Sequence, residues 1–266
     1  MSETFLEKIV VKTREKVERQ KHDTDLDALK HTALEVRAHA KPGLLRSALS
    51  RADKPNIIAE IKRASPSKGI INSDIDVAAL ARQYAAGGAS AISVLTESEY
   101  FQGSLDDLRV VRAAVDLPIL RKDFTVDEFQ IYEAAVAGAD AILLIVAALS
   151  EQDLRYFLQM SQDELGLDAL VEVHSTGELE IATNLGAAII GVNNRDLHSL
   201  EVSLDVSRRL ILSRPKNALM VAESGISSRE EIDELKSLGF NGFLIGETLM
   251  RTANAADTLG AWMCRR

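Results

Sequence analysis

The segment AGADAILLIV, residues 137–146, decides the fold: glycine at 138 breaks a helix, and an unbroken apolar run follows from Ala141 to Val146. A strand without polar alternation needs dry surroundings on both faces, which a parallel sheet between a helix layer and a second apolar layer supplies. Seven further runs share this character: NIIAEI (56–61), SAISVL (90–95), PIL (118–120), ALVEV (169–173), AAIIGV (187–192), ALMVA (218–222) and GFLIG (242–246). Amphipathic helices separate them, with apolar stripes such as Val77, Leu80, Ala81 and Tyr84, or Ile232, Leu235 and Leu238. The helix-exit phrase recurs as AGGASAISV, LGAAIIGV and LGFNGFLIG, so the repeating unit is a strand plus a helix. Eight such units predict an α/β chain closed into a single (β/α)8 TIM barrel over residues 51–266. A doubly wound open sheet is the alternative, but neither G-x-G-x-x-G nor G-x-x-x-x-G-K-[ST] is present.

Residues 1–50 stand outside this count and read as a helical extension. Leu6, Ile9, Val10, Thr13 and Val17 share one helix face, and such a face needs a surface to cover. A second helix is expected after the Asp23-Thr24-Asp25 cap signal, ending at Lys41-Pro42-Gly43. Composition narrows the function classes. With 31 Lys+Arg against 40 Asp+Glu, the net charge of −9 repels nucleic acid and anionic membrane, so an anionic ligand needs a local positive site. The single cysteine, Cys264, excludes internal disulfides and multi-cysteine metal centres and fits a reducing, cytoplasmic setting. No signal sequence and no long apolar span is apparent, so neither export nor membrane insertion is expected.

In a barrel of this type the chemistry sits at the C-terminal ends of the strands. By the alternation of strand side chains, Glu60 and Lys62 point into the barrel mouth, Lys122 follows Leu120 inward, Glu172 follows Leu170, Asn193 follows Gly191, and Glu223 follows Val221. An internal ion-pair network serving stability alone is the competing explanation, but desolvation usually cancels the Coulomb gain of such pairs. Ser224-Gly225 and Gly246 bring small residues to positions where barrels often hold phosphate through backbone N–H groups. The histidines 22, 31, 39, 174 and 198 show no metal-binding spacing, and His174 reads as packing or surface. No metal or organic cofactor is expected.

The motifs IAEIKRASPSKG (58–69), SVLTESEYFQGS (93–104), PILRKDF (118–124), LVEVH (170–174), GVNNRDL (191–197) and VAESGI (221–226) closely resemble, in order and spacing, those of indole-3-glycerol phosphate synthases. That family closes the ring of 1-(2-carboxyphenylamino)-1-deoxyribulose 5-phosphate, with loss of CO₂ and water, in tryptophan biosynthesis. The resemblance implies Lys122 as general acid, Glu172 as base for the dehydration, and Lys62 facing the anthranilate carboxylate and sharing proton transfer. It implies positioning roles for Glu60, Asn193 and Glu223, and substrate or phosphate contacts for Arg195, Ser65, Phe101, Ser224, Gly225, Gly246 and Glu247. Glu247 stands where a small hydroxyl residue is also seen in the family, so its side chain is expected to point away while its N–H serves the ligand. Neighbouring cations and partial desolvation are expected to lower Lys122 from the usual lysine value of about 10.4. The implied partner is a small phosphorylated substrate, without nucleic acid or membrane, acting on a monomer or weak homodimer whose N-terminal extension covers the mouth. Two other readings remain: an aldolase-like barrel with a Schiff base on Lys122 or Lys62, and a binding scaffold with a degenerate site.

Overall fold

A computed structural model of the chain describes residues 4–197 and 199–263. His198, Cys264 and the Arg265-Arg266 pair lie outside the described residues. Eight parallel strands close into a barrel in sequence order: β1 (Asn56–Ile61), β2 (Ala91–Leu95), β3 (Ile119–Lys122), β4 (Ala141–Ile145), β5 (Asp168–Val173), β6 (Ile189–Asn193), β7 (Leu219–Glu223) and β8 (Gly242–Ile245). The last strand returns to the first, with Asn56 opposite Gly242 and Ala59 opposite Ile245. A short antiparallel hairpin, Ala64–Ser65 with Gly69–Ile70, rises from the end of β1.

Strand alternation divides the core in two. Ile57, Ala59 and Ile61 face the helix layer, whereas Ile58, Leu120, Leu170, Ile189 and Val221 fill the barrel interior. β3 runs two residues beyond the apolar PIL run, because Arg121 turns outward and is fully engaged. Its guanidinium donates to the Gln130 carbonyl at 2.6 Å and to the Thr96 hydroxyl at 3.1 Å, and pairs with Asp123 and Glu133. That compensation lets a charged residue occupy a buried strand position.

The first 50 residues form three helices, α1 (Phe5–Asp23), α2 (Leu26–Arg37) and α3 (Leu44–Leu49). Around the barrel follow α4 (Val77–Ala86), α5 (Leu105–Ala114), α6 (Glu128–Ala137), α7 (Glu151–Gln159), α8 (Thr176–Asn184), α9 (Asp205–Leu210), α10 (Arg229–Leu238), α11 (Glu247–Arg251) and α12 (Ala255–Met263). The first three serve different places. Thr4 caps α1 by a capping box with Glu7, and its Leu6, Ile9, Thr13 and Val17 are buried, with Lys12 paired to Glu99 and Lys21 to Asp127 in the loops at the C-terminal end of the barrel. α2 lies along α6 and is tied down by buried Arg37, which donates to the carbonyls of Leu165, Ala139 and Gly166.

α3 closes the opposite end, with Leu45 and Leu49 inside the interior core, the Arg46 N–H bonded to Asp168, and the Asn56 side chain donating to the Leu49 carbonyl. Among the described residues no helix is long and apolar enough to cross a membrane. Leu49 is fully buried at the floor, far from the strand ends that carry the charges. Leu49→Ala is expected to destabilise by about 2–5 kcal/mol in urea unfolding while leaving turnover of the folded fraction unchanged.

Candidate active site

The C-terminal strand ends surround a cavity of about 500 Å³, and every residue named above for catalysis or substrate contact lies on its wall. Lys122 ends β3, Asn193 ends β6 and Glu223 ends β7, while Glu60 and Glu172 sit on β1 and β5. The Lys122 ammonium donates to Glu172 Oε2 at 3.0 Å and lies 3.6 Å from Glu223 Oε2. Asn193 Nδ2 donates to the other oxygen of Glu172 at 3.0 Å. Lys62 pairs with Glu60 at 2.9 Å. All three carboxylates are buried.

Burial alone would lower Lys122, but the attraction of Glu172, Glu223 and Glu60 outweighs it and holds the ammonium above the ordinary lysine range. This reverses the expectation that neighbouring cations would lower it. The nearest charges to Lys122 are carboxylates, Lys62 is engaged by Glu60, and Arg195 reaches away to the Ser67 hydroxyl and the Leu200 carbonyl at 2.9 and 3.0 Å. Glu172 and Glu223 then divide. Burial pushes Glu172 up, yet Lys122, His174 and Asn193 bring it well below the usual carboxylate range. Glu223 has one oxygen without a hydrogen-bond partner; burial, with repulsion from Glu172 and Glu60, pushes it up to about 8. The two carboxyl groups are therefore driven apart, Glu172 toward its ionised form and Glu223 toward its protonated one.

His174 is more than packing. Its Nε2 lies 3.3 Å from Glu172 and its Nδ1 3.3 Å from Glu178. Burial opposes its charge, but the two carboxylates raise it to about 10, making an imidazolium that steadies Glu172. The signal was available, since His174 follows Glu172 by the same two-residue step that aligned the other inward groups.

Two glycines make room for this cluster. A Cβ on Gly191 would lie 1.9 Å from Glu223 Oε1, and one on Gly246 would lie 2.4 Å from Glu60 Oε1 and 3.0 Å from Lys62 Nζ. Gly246 thus leaves space for an ion pair as well as for a ligand. Among the described residues no group of three or more His, Cys, Asp or Glu is placed to hold a metal ion.

The rim differs from one side to the other. After β1, β7 and β8, which are neighbours in the barrel, it is polar: the Ser65 hydroxyl is buried without a partner, and Ser224 and Gly225 both adopt left-handed backbone at φ 66° and 81°. Asn194 supports that turn by donating to the carbonyls of Glu223 and Ser224 at 2.9 and 3.1 Å. Gly246 leads into α11, whose Glu247 carboxylate is drawn back to Arg251 at 3.2 Å and faces Lys68 at 4.0 Å. After β2 and β3 the rim is aromatic, with Phe101 and Phe124 ring centres 6.3 Å apart. Phe5, from α1, completes that wall and meets Tyr100 edge-on at 5.1 Å. Phe5 could not be found from sequence, because only tertiary docking brings it to the mouth.

The upward shift of Glu223 carries a stability consequence. The folded protein keeps its proton up to about pH 8, whereas the unfolded chain releases it near 4.5. The folded state therefore binds more protons in this window, and Glu223 lowers stability progressively as pH rises through it. Glu223→Gln should show little difference from the parent at pH 4.5 and a relative gain of roughly 1–4 kcal/mol by pH 8, measured by urea unfolding. A difference independent of pH would contradict the assignment.

Comparisons with known proteins show the family. The family model for indole-3-glycerol phosphate synthase matches residues 6–261. The chain is 47% identical over 259 residues to an indole-3-glycerol phosphate synthase of Carboxydothermus hydrogenoformans, covering 96% of this chain and 98% of that protein. It is 46% identical to the one from Lachnoclostridium phytofermentans, covering 94% and 95% of the two chains. Among solved structures, thiamine phosphate pyrophosphorylase from Pyrococcus furiosus superposes with a TM-score of 0.58 at 17% identity, covering 79% of this chain and 94% of that one, a likeness of fold alone. With its barrel, its motifs and these relatives in agreement, the chain belongs to the indole-3-glycerol phosphate synthase family.

Proposed function

We propose that this protein is a carboxy-lyase that closes the indole ring of 1-(2-carboxyphenylamino)-1-deoxyribulose 5-phosphate, giving indole-3-glycerol phosphate, CO₂ and water. The observation that carries the reading is the Lys122 ammonium, held between Glu172 and Glu223 in a cavity with an aromatic wall on one side and a small-residue rim on the other. The aromatic wall of Phe5, Phe101 and Phe124 suits the anthranilate ring, and the Ser65, Ser224-Gly225 and Gly246 side suits the phosphate. The ribulose chain then crosses the mouth past Lys122.

In this reading the aromatic carbon that carries the carboxylate attacks the ketone, and Lys122 gives its proton to the ketone oxygen as the new carbon–carbon bond forms. A lysine among carboxylates is a reluctant acid, but the developing alkoxide is a stronger base still, so the transfer remains downhill. The carboxylate leaves as CO₂ and its electron pair restores the aromatic ring. The hydroxyl then departs as water with a proton from Lys62, while ionised Glu172 takes the proton released at the carbon next to nitrogen. Asn193 and His174 hold Glu172 in place for that step. Arg195 and Lys62 supply positive charge for the substrate's two anionic groups against the overall field.

The Schiff-base alternative needs a neutral, nucleophilic lysine, and the carboxylates around Lys122 favour the ammonium. Lys122→Ala is expected to lower kcat by about 10²–10⁴ in an assay for indole fluorescence, with unchanged circular dichroism. A variant with near-normal kcat moves the acid role elsewhere. Removing residues 1–24 takes away α1 and Phe5 but keeps the α3 floor, so the barrel should still fold while KM rises about tenfold or more, the worth of a lost aromatic contact and its desolvation. Full kcat/KM in the truncated protein would make α1 a mere surface helix.

A further inference from the structure

Glu97 lies two residues beyond the end of β2 and is buried, although its neighbours Ser98 and Glu99 are exposed. Both of its oxygens are taken by backbone N–H groups of the following loop: Glu99 donates to Oε1 at 2.7 Å, and Tyr100 and Phe101 donate to Oε2 at 2.7 and 3.0 Å. Charge-assisted bonds of this kind are among the stronger ones available to a loop. The same turn is closed by the Gly103 N–H bonding to the Glu97 carbonyl at 2.8 Å. Close approach dictates the glycine there, because a Cβ would sit 2.1 Å from the Leu95 carbonyl oxygen.

Each residue whose N–H reaches Glu97 has a separate task. Phe101 forms part of the aromatic wall, and its carbonyl accepts from the Ala64 N–H at 3.3 Å, next to the segment that carries Lys62 and Ser65. Tyr100 meets Phe5, and Glu99 pairs with Lys12, so both anchor α1. α1 in turn roofs Glu97: Thr13, Lys16, Val17 and Gln20 share a water-sized cavity with Glu97, Arg121, Asp123 and Gln130. The neighbouring strand repeats the device. Asp123 accepts the Phe124 N–H at 2.9 Å and the Thr96 hydroxyl at 2.5 Å, so the two loop rings, Phe101 and Phe124, each hang from a buried carboxylate.

We propose that Glu97 is a positioning residue for ring recognition, its carboxylate fixing the loop 99–101 so that Phe101 faces the cavity while Tyr100 and Glu99 seat α1. The proposal rests on the reading of the aromatic wall as the anthranilate site. It assigns Glu97 no contact with the reacting atoms.

The test is a double-mutant cycle on the full chain with Glu97→Gln and Phe101→Ala, read as KM and kcat with the anilino-deoxyribulose phosphate substrate. The glutamine amide cannot accept hydrogen bonds at its nitrogen end, so Glu97→Gln should raise KM about tenfold or more while kcat changes by less than about threefold. In the Phe101→Ala background the same change should have a much smaller effect, because the two residues act through one contact. Amide exchange within α1 should also quicken in Glu97→Gln. Glu97→Asp keeps the charge but withdraws the acceptor by one methylene, and should give a smaller rise in KM.

If Phe101→Ala leaves KM unchanged, the ring-site reading fails. If Phe101→Ala raises KM and Glu97→Gln does not, or if their effects multiply independently, the positioning role is overturned. Loss of folding in both Glu97 variants would assign the residue to the fold as a whole and overturn it as well.

Discussion

An ammonium ion inside a barrel must be paired, and the pairing of Lys122 is the constraint around which the mouth is arranged. Its nitrogen is within 3.6 Å of two carboxylates contributed by β5 and β7. Removing water from such a group costs far more than one ion pair returns unless the partners are themselves hydrogen-bonded. Glu172 meets that requirement through Asn193, with His174 3.3 Å away as a second counter-charge, whereas Glu223 has an oxygen without a hydrogen-bond partner and is pushed toward its neutral form. Gly191 follows from the same constraint, since any side chain there would displace Glu223. The result is an ammonium at the centre of the mouth, held by groups that can exchange protons.

The two sides of the mouth depend on different devices. On the polar side, backbone conformation does the positioning, through the left-handed Ser224-Gly225 turn braced by Asn194. On the aromatic side, rings project from loops, and loops need posts; Glu97 and Asp123 take the N–H groups of Phe101 and Phe124. The N-terminal extension serves both ends of the barrel. α1 leans on the aromatic side with Phe5, whereas α3 fills the floor with Leu45 and Leu49. A truncation that removes both helices would confuse substrate binding with core packing.

Much of this was legible in the sequence for a plain physical reason: a strand buried on both faces admits polar groups inward only at its end, so Glu60, Glu172 and Glu223 stand out against apolar runs. The two-residue period then predicted the direction of Glu172 from Leu170 and of Glu223 from Val221, and the interior core contains both apolar residues. β3 was harder to delimit. Hydropathy stops at Leu120, because it cannot see that Arg121 finds Gln130, Asp123 and Glu133 in space. The expected lowering of Lys122 failed for a related reason: the sequence displays which charges are present but not which is nearest, and Glu60 had already taken Lys62. Phe5 and the floor helix α3 were invisible because their roles depend on where the extension docks. Glu97 was in view within SVLTESEYFQGS, but an exposed loop acid and a buried one look alike in a string of letters.

The claim that a carboxylate cage keeps Lys122 charged can be measured directly. Selective ¹³C labelling of the lysine side chains, with the Lys122 signal assigned by Lys122→Arg, would follow its Cε shift as pH is raised. The account predicts that Lys122 in the free, folded protein remains protonated well after the surface lysines have titrated near about 10.4, and that Glu172→Gln brings its titration to lower pH. A Lys122 signal that titrates at or below the surface lysines would contradict the account.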